Sequence, residues 1–313
     1  MPRHSRNGTQ LRRLITVTLA TAALGLPVAT LAQTAKEQEL EKAGENVIHL
    51  EVGEPDFETP ESIRNAAIEA IRSGKTHYTH AMGLLELREA ICEHYLAEYG
   101  VRISPEQILV TSGTSPAFLF MMLSMLEPSD EVILSNPHYA CYPNFIRTVG
   151  GEPVFVRTYP EDGFQYRPEA IKIALTPRTR GIVINSPCNP TGIVMNDQNL
   201  HDIAQFGDQY IISDEIYHGL VYRGRARSIL EFTDRAFVVN GFSKLFAMTG
   251  WRLGYVIFPM EFATVMQRIH QNFAISANSF VQWACVAAFK DTKYDIERMR
   301  KTYDERRVYI DRK

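Results

Sequence analysis

The first 36 residues of this 313-residue chain contain no aspartate or glutamate, and beyond its first residues the chain has no long basic run. It also lacks internal repeats and low-complexity segments, and its net charge is −3. The missing basic run and the negative net charge argue against a nucleic-acid-binding protein. The missing repeats and low-complexity segments argue against a repeat protein and a disordered chain. Its only four cysteines, Cys92, Cys141, Cys188 and Cys285, lie far apart in the sequence. No pair has the spacing of a metal site, so we predict no metal centre.

The N-terminal segment has the layout of a secretory signal peptide. Several arginines, including Arg12 and Arg13, precede an apolar stretch from Leu14 to Ala32 that ends in small residues. This pattern predicts export to the periplasm, and the arginine pair suggests the twin-arginine route. Two alternatives stay open, namely an arm that packs on a partner subunit and a misassigned start codon. Pro27 and four threonines within the stretch argue against a stable membrane span.

From Ile108 to Ile257, short apolar runs alternate with segments of helical spacing. The runs predict strands, and the spacing between them predicts helices. Predicted strands are 108–111, 131–134, 153–156, 181–185, 210–213, 236–240 and 253–257. Predicted helices are 60–73, 84–99, 115–125, 196–209, 261–272, 279–289 and 294–312, with a short charged helix at 38–44 before them. This order predicts an α/β fold with a mostly parallel sheet between layers of helices.

Three polar residues stand directly after predicted strands. They are Asn189 in an Asn-Pro-Thr-Gly turn, Asp214 in Ser-Asp-Glu-Ile-Tyr, and Lys244 in Phe-Ser-Lys-Leu-Phe-Ala-Met. The binding site of such a sheet lies beyond the carboxyl ends of its strands, so we expect the three side chains to meet there. A lysine in an apolar loop forms a Schiff base with an aldehyde, and a carboxylate pairs with a pyridinium nitrogen. This combination suits pyridoxal 5′-phosphate.

These motifs, in this order, resemble the class I, fold-type I pyridoxal-phosphate-dependent aminotransferases, and within them the aspartate/aromatic aminotransferase-like group. The resemblance runs from about Ala35 to the last residue. It implies that Lys244, Asp214 and Tyr217 are catalytic, with Lys244 joined to the cofactor. It assigns cofactor contacts to those three and to Asn189, Tyr139, Gly113, Thr114, Ser115, Ser243, Arg252 and Tyr78. It places Gly53 and Asn189 beside the substrate. The phosphate would be held by Arg252, by Ser243 and by the start of the helix at Gly113-Thr114-Ser115.

The resemblance also implies an organisation for the whole chain. Residues 1–33 form the signal-like or arm segment, and 34–60 an N-terminal arm and small-domain segment. The cofactor-binding large domain covers 61–259, and 260–313 is a helical connection into an incomplete small domain. Family chains continue further and carry an arginine there that holds the substrate carboxylate. Tyr78 would reach the phosphate of a neighbouring subunit, which implies a homodimer, and the family location is cytoplasmic.

The expected reaction is transamination, in which an L-amino acid donates its amino group and a 2-oxo acid then accepts it in ping-pong order. Two alternatives remain at this stage. One is another reaction of the same cofactor, such as a carbon–sulfur β-lyase, since both start with removal of the Cα proton. The other is an inactive cofactor-binding fragment that lacks the carboxylate-binding arginine.

Overall fold

The computed structural model describes residues 38–47 and 53–312. The chain forms two compact units, Met1–Gly53 and Glu54–Lys313. In the first unit a helix covers residues 38–42, which confirms the short charged helix. The signal-like segment lies outside the described residues. None of the described helices is long and apolar enough to cross a membrane.

The second unit is built on a seven-stranded sheet with the order β1-β7-β6-β5-β4-β2-β3. The strands are β1 (Ile108–Thr111), β2 (Glu131–Asn136), β3 (Glu152–Arg157), β4 (Thr179–Asn185), β5 (Tyr210–Asp214), β6 (Ala236–Gly241) and β7 (Gly254–Ile257). All seven agree with the predicted runs to within two residues at either end.

The helices of this unit are α1 (Glu61–Arg72), α2 (Leu85–Tyr99), α3 (Thr114–Met125), α4 (Tyr142–Thr148), α5 (Pro168–Ala174), α6 (Asp197–Ala204), α7 (Ala263–Phe273), α8 (Ser279–Ala288) and α9 (Lys293–Asp311). The sequence did not predict α4 and α5, which have seven residues each, too few to show a helical period. The helix capped by Asn196 ends at Ala204 instead of Gln209, because Gly207 and Asp208 disfavour helix beyond that point.

The sheet is mostly parallel, as predicted, except at β7. This strand runs antiparallel to both of its neighbours, β1 and β6. Its connection from β6 is a tight segment over residues 242–253 with no α-helix in it. A parallel neighbour requires a longer crossover, usually a helix, so this connection returns the chain in the opposite direction.

Both faces of the sheet are buried, because alternate residues of each strand pack into different clusters. Along β6, Val238 points to the cluster that includes α1, α2 and α8, whereas Phe237 and Val239 point to the cluster that includes α3, α4 and α7. The alternation follows from the two-residue period of a strand. It confirms a sheet covered on both sides and leaves only its edges open for a site.

Candidate active site

The strand ends bring the predicted site residues to one edge of the sheet. β4, β5 and β6 are parallel, and Asn185 pairs with Asp214 at the last position of both strands. β7 is antiparallel, so it begins at the edge where β6 ends, and Gly241 faces Gly254 there. Arg252, two residues before β7, therefore lies on the same side as the turn that carries Lys244.

Asp214 is a buried carboxylate at the end of β5, with 6% of its surface exposed. Burial raises its pKa to about 6, because the charged form is deprived of water, and two hydrogen bonds oppose that rise. The phenol of Tyr142 donates to Oδ2 over 2.6 Å, and the amide of Ile216 donates to Oδ1 over 3.2 Å. A carboxylate accepts up to about four hydrogen bonds, so Asp214 keeps capacity for a further cationic donor.

Tyr142 was not identified from the sequence. It opens α4, is almost completely buried, and lies 72 positions before Asp214 in the chain. Its ring meets the ring of Tyr139 edge to face, with 5.3 Å between centroids. Tyr139, the residue predicted to stack on a cofactor ring, is thus fixed against the tyrosine that holds Asp214. The sequence gives no spacing signal for Tyr142, because its contact joins the start of α4 to the end of β5, 72 residues apart.

Asn185 couples the two neighbouring loops that follow β4 and β5. Its side-chain amide donates to the carbonyl of Asp214 over 3.0 Å, and its Oδ1 accepts from the backbone amide of Asn189 over 2.6 Å. Burial raises the pKa of Tyr217, and the nearby side chain of Asn189 opposes that rise. The predicted pair Asn189 and Tyr217 is therefore together, and Asn185, which sequence reasoning had not given a role, positions it.

The turn that carries Lys244 is held from both sides. Met248 donates its amide to the carbonyl of Ser243 over 3.1 Å, which closes the turn. The hydroxyl of Thr59 donates to the carbonyl of Ala247 over 2.7 Å and accepts from the indole of Trp251 over 3.0 Å. These bonds tie the lysine turn to the segment that leads into α1.

Lys244 itself is half-buried, and burial lowers the pKa of its ammonium group. Arg252 lowers it further by repulsion, whereas the carboxylate of Glu54 raises it. Glu54, which the sequence did not single out, also accepts a hydrogen bond from the hydroxyl of Thr249. A lysine with a lowered pKa releases its proton more readily, which a nucleophilic amine requires.

Arg252 lies against the start of α3, as the phosphate assignment requires. A Cβ at Gly113 would lie 2.5 Å from Nη2 of Arg252, and Gly113 has φ of +97°, so only glycine suits this position. The amides at the start of α3, beginning with Thr114 and Ser115, are those left without partners inside the helix. An arginine beside a helix start is a site for a phosphate group.

The residues at this edge fit pyridoxal 5′-phosphate in their chemistry. Gly113 leaves room for the arginine beside the amides of α3, and the buried carboxyl of Asp214 has acceptor capacity for a protonated ring nitrogen. Lys244 lies between these two groups in the order β1, β7, β6, β5 of the sheet. A phosphate site, an amine and a desolvated carboxylate are the three anchors such a cofactor needs.

Three other predicted residues are not held by the contacts described above. Ser243 is half-buried beside Lys244 and adds a hydroxyl there. Tyr78 is 80% exposed in this chain. Gly53 belongs to the first unit, Met1–Gly53.

Comparison with known proteins gives one consistent result. The family model "Aminotransferase class I and II" matches residues 45–313. The chain is 45% identical over 277 residues to the (5-formylfuran-3-yl)methyl phosphate transaminase of Methanocaldococcus jannaschii, covering 87% of this chain and 72% of that protein. It is 40% identical over 288 residues to the aspartate/prephenate aminotransferase of Thermus thermophilus, covering 90% and 75%. A double mutant of the Thermus thermophilus aspartate aminotransferase superposes with a TM-score of 0.87 at 40% identity, covering 90% of this chain and 76% of that one.

Proposed function

The chain belongs to the class I and II aminotransferases, and from this premise we propose that it binds pyridoxal 5′-phosphate at the edge that holds Lys244, Asp214 and Arg252. Aminotransferases of this family use that cofactor to move an amino group from an L-amino acid to a 2-oxo acid. The observation that supports the site most strongly is the buried Asp214, fixed by Tyr142 opposite a lysine whose pKa burial lowers. Such pairs of perturbed groups concentrate at functional sites.

When bound, the cofactor supplies an aldehyde that joins amines and a ring that draws electrons from the substrate Cα. Asp214 would keep the ring nitrogen protonated through an ion pair in a desolvated place, where the attraction is strong. Tyr217 and Asn189 would donate to the phenolic oxygen of the ring. Tyr139 would cover one face of the ring.

Lys244 has two tasks in this proposal. As a neutral amine it would hold the cofactor aldehyde, and once a substrate amine takes that place, Lys244 Nζ would accept the proton from the substrate Cα. Both tasks need the unprotonated form, which burial and the neighbouring Arg252 favour. The Thr59–Ala247–Trp251 bonds fix the turn so that Nζ returns to one position.

Arg252 and the start of α3 would hold the phosphate, with Ser243 as an added donor. Because Arg252 is exposed in the single chain, a second subunit would help to close this end of the site. We infer a homodimer in which the exposed Tyr78 of one subunit reaches the phosphate of the other. Sedimentation velocity of wild type and Tyr78→Phe tests the assembly, and a purely monomeric wild type would contradict it.

The division of the chain remains part of the proposal. Residues 61–259 form the cofactor-binding large domain, 34–60 the arm and small-domain segment, and 260–313 the connection into the small domain.

Absorption spectroscopy with a substrate panel tests the activity. Purified protein with pyridoxal phosphate is mixed with aspartate, alanine, phenylalanine or tyrosine, and glutamate formed from 2-oxoglutarate is then measured. Aspartate and the aromatic acids are included because similar proteins are named for aspartate and prephenate. We expect a change of the visible band with at least one donor, glutamate as product, and neither in Lys244→Ala. A band that changes without glutamate formed from any donor would contradict transamination, and a band that no donor changes would contradict turnover.

A further inference from the structure

A cavity lies beside the lysine turn and is lined by Leu245 and Phe246 of that turn. Its volume is about 460 Å³, within the usual range for small-molecule pockets. The end of α2, the loop of residues 218–226 and the junction of α8 with α9 form its walls. Neither Asp214 nor Lys244 lines it, so the cofactor does not account for it.

The inner wall of this cavity is apolar and rich in aromatic rings. It is formed by Tyr99, Leu245, Phe246, Tyr255, Phe289 and Ile296. At one end the hydroxyl of Tyr99 and Nδ1 of His218 lie 2.8 Å apart. Burial lowers the pKa of His218 to about 4, so this polar end is neutral at pH 7. A flat apolar ligand would remove this wall from water without burying a charge against it.

The rim of the cavity carries four cationic and two anionic side chains. Arg225 pairs with Glu231 at 2.8 Å, and Arg300 pairs with Glu297 at 2.6 Å. Lys290 and Lys293 have no ion-pair partner within residues 38–47 and 53–312. Glu98, at the end of α2, is the other anionic side chain and offsets one of the two lysines. The rim therefore keeps one net positive charge, and both lysines lie at the junction of α8 and α9.

The charge of the rim indicates which class of ligand fits the cavity. The N-terminal 36 residues are basic and contain no acidic side chain, so they match the rim poorly. An anion with an apolar aromatic body matches both the rim and the wall. We propose that this cavity is a second binding site, which takes small aromatic carboxylates with the ring on the apolar wall and the carboxylate at Lys290 and Lys293.

A ligand here would contact the back of the active site. Leu245 and Phe246 line the cavity and directly follow Lys244 in the turn. A Cβ at Gly219 would lie 2.7 Å from Cδ1 of Leu245, so the loop after Tyr217 packs directly on the same turn. Binding should consequently slow backbone hydrogen exchange over residues 218–226, 241–247 and 288–297.

The probe for this site is 2-naphthoate, which has an aromatic body and a carboxylate but no amino or oxo group to react. Titration calorimetry on the protein loaded with pyridoxal phosphate should give a dissociation constant on the order of 1 mM or below. We expect at least a tenfold weaker affinity for the double variant Lys290→Ala/Lys293→Ala. Ile296→Trp, which fills the cavity, should weaken it equally. Lys172→Ala, an exposed lysine on α5, is the matched control and should bind as wild type does.

Hydrogen exchange with 2-naphthoate locates the ligand independently of the cofactor chemistry. Slower exchange confined to the three segments above supports the proposal. Equal affinity in all variants, no binding at millimolar probe, or slower exchange confined to residues 185–192 and 214–217 would each overturn it. Melting temperatures of the variants identify any that fail to fold. If Ile296→Trp does not fold, the test rests on Lys290→Ala/Lys293→Ala, which changes only side chains at the rim. A failure of the aminotransferase assay leaves these measurements unaffected.

Discussion

Replacing Tyr142 with phenylalanine tests how the protein keeps Asp214 ionised. The phenol donates to Asp214 Oδ2 over 2.6 Å, and its ring is only 2% exposed, so water has little access to replace it. A hydrogen bond to a charged group contributes about 1.5–3 kcal/mol. Since 1.4 kcal/mol corresponds to roughly one pKa unit, its loss should raise the pKa of Asp214 from about 6 to between about 7 and 8.

This change has a measurable consequence for the cofactor. At pH 7 most of the wild-type Asp214 carboxyl is ionised, whereas between about one half and one tenth should be ionised in Tyr142→Phe. A protonated carboxyl cannot pair with a protonated ring nitrogen. We therefore expect the affinity for pyridoxal phosphate at pH 7 to fall roughly two- to tenfold and to recover by about pH 9.

The assay combines two titrations. Infrared spectroscopy of the cofactor-free protein follows the carboxyl band of Asp214 as the pH is changed. The band is assigned by its loss in Asp214→Asn. Fluorescence titrations measure the affinity for pyridoxal phosphate across the same pH range. Tyr166→Phe is the control, because the buried Tyr166 hydroxyl donates to the carbonyl of Val183 over 2.9 Å and does not touch Asp214. If both profiles of Tyr142→Phe coincide with those of Tyr166→Phe, the reasoning is refuted.

Three further predictions concern other contacts. Gly113→Ala places a methyl group 2.5 Å from Arg252 Nη2, so it should weaken pyridoxal phosphate binding at least tenfold but leave pyridoxal binding nearly unchanged, as followed by fluorescence titration. Gly163→Ala, also at positive φ but with open space around it, is the control. Equal losses of affinity for pyridoxal phosphate and for pyridoxal would contradict the phosphate assignment. Burial raises the pKa of Glu215 to about 7, above its unfolded value, so its stabilising contribution is complete below pH 4.5 and is lost as pH rises through 7. In urea unfolding, the unfolding free energy of wild type should fall across that window by on the order of 3 kcal/mol more than that of Glu215→Gln; equal slopes would exclude Glu215 as the source. Thr59→Val removes the partners of the Ala247 carbonyl and the Trp251 indole, which should cost about 1–3 kcal/mol in unfolding free energy and speed hydrogen exchange at residues 244–248; unchanged exchange there would show that the turn does not depend on Thr59.

Much of the fold could be predicted because it depends on local patterns. The strands of the buried sheet are short apolar runs, and helices such as α1 and α9 are long enough for their period to show. The direction of β7 could not be read in this way, since an antiparallel strand has the same composition as a parallel one. The helices α4 and α5 were missed for want of length.

Some residues of the candidate site could be predicted from local sequence motifs, and others could not. Lys244, Asp214 and Asn189 could be proposed from the sequence because each lies at or after the end of a strand within a motif that is continuous in sequence. Tyr142 was missed because its contact with Asp214 joins positions 72 residues apart. The fit between Gly113 and Arg252 likewise depends on the sheet, where Thr111 of β1 faces Gly254 of β7. Contacts made across strand ends therefore required the three-dimensional structure.

The most direct test of the account is chemical trapping at Lys244. Wild type and Lys244→Ala are incubated with pyridoxal phosphate, reduced with borohydride, digested and analysed by mass spectrometry. The account predicts one pyridoxyl phosphate label, on the wild-type peptide that contains Lys244, and no label on the corresponding peptide of the variant. A label on a different lysine, or an equally strong label on Lys244→Ala, would contradict the proposed site.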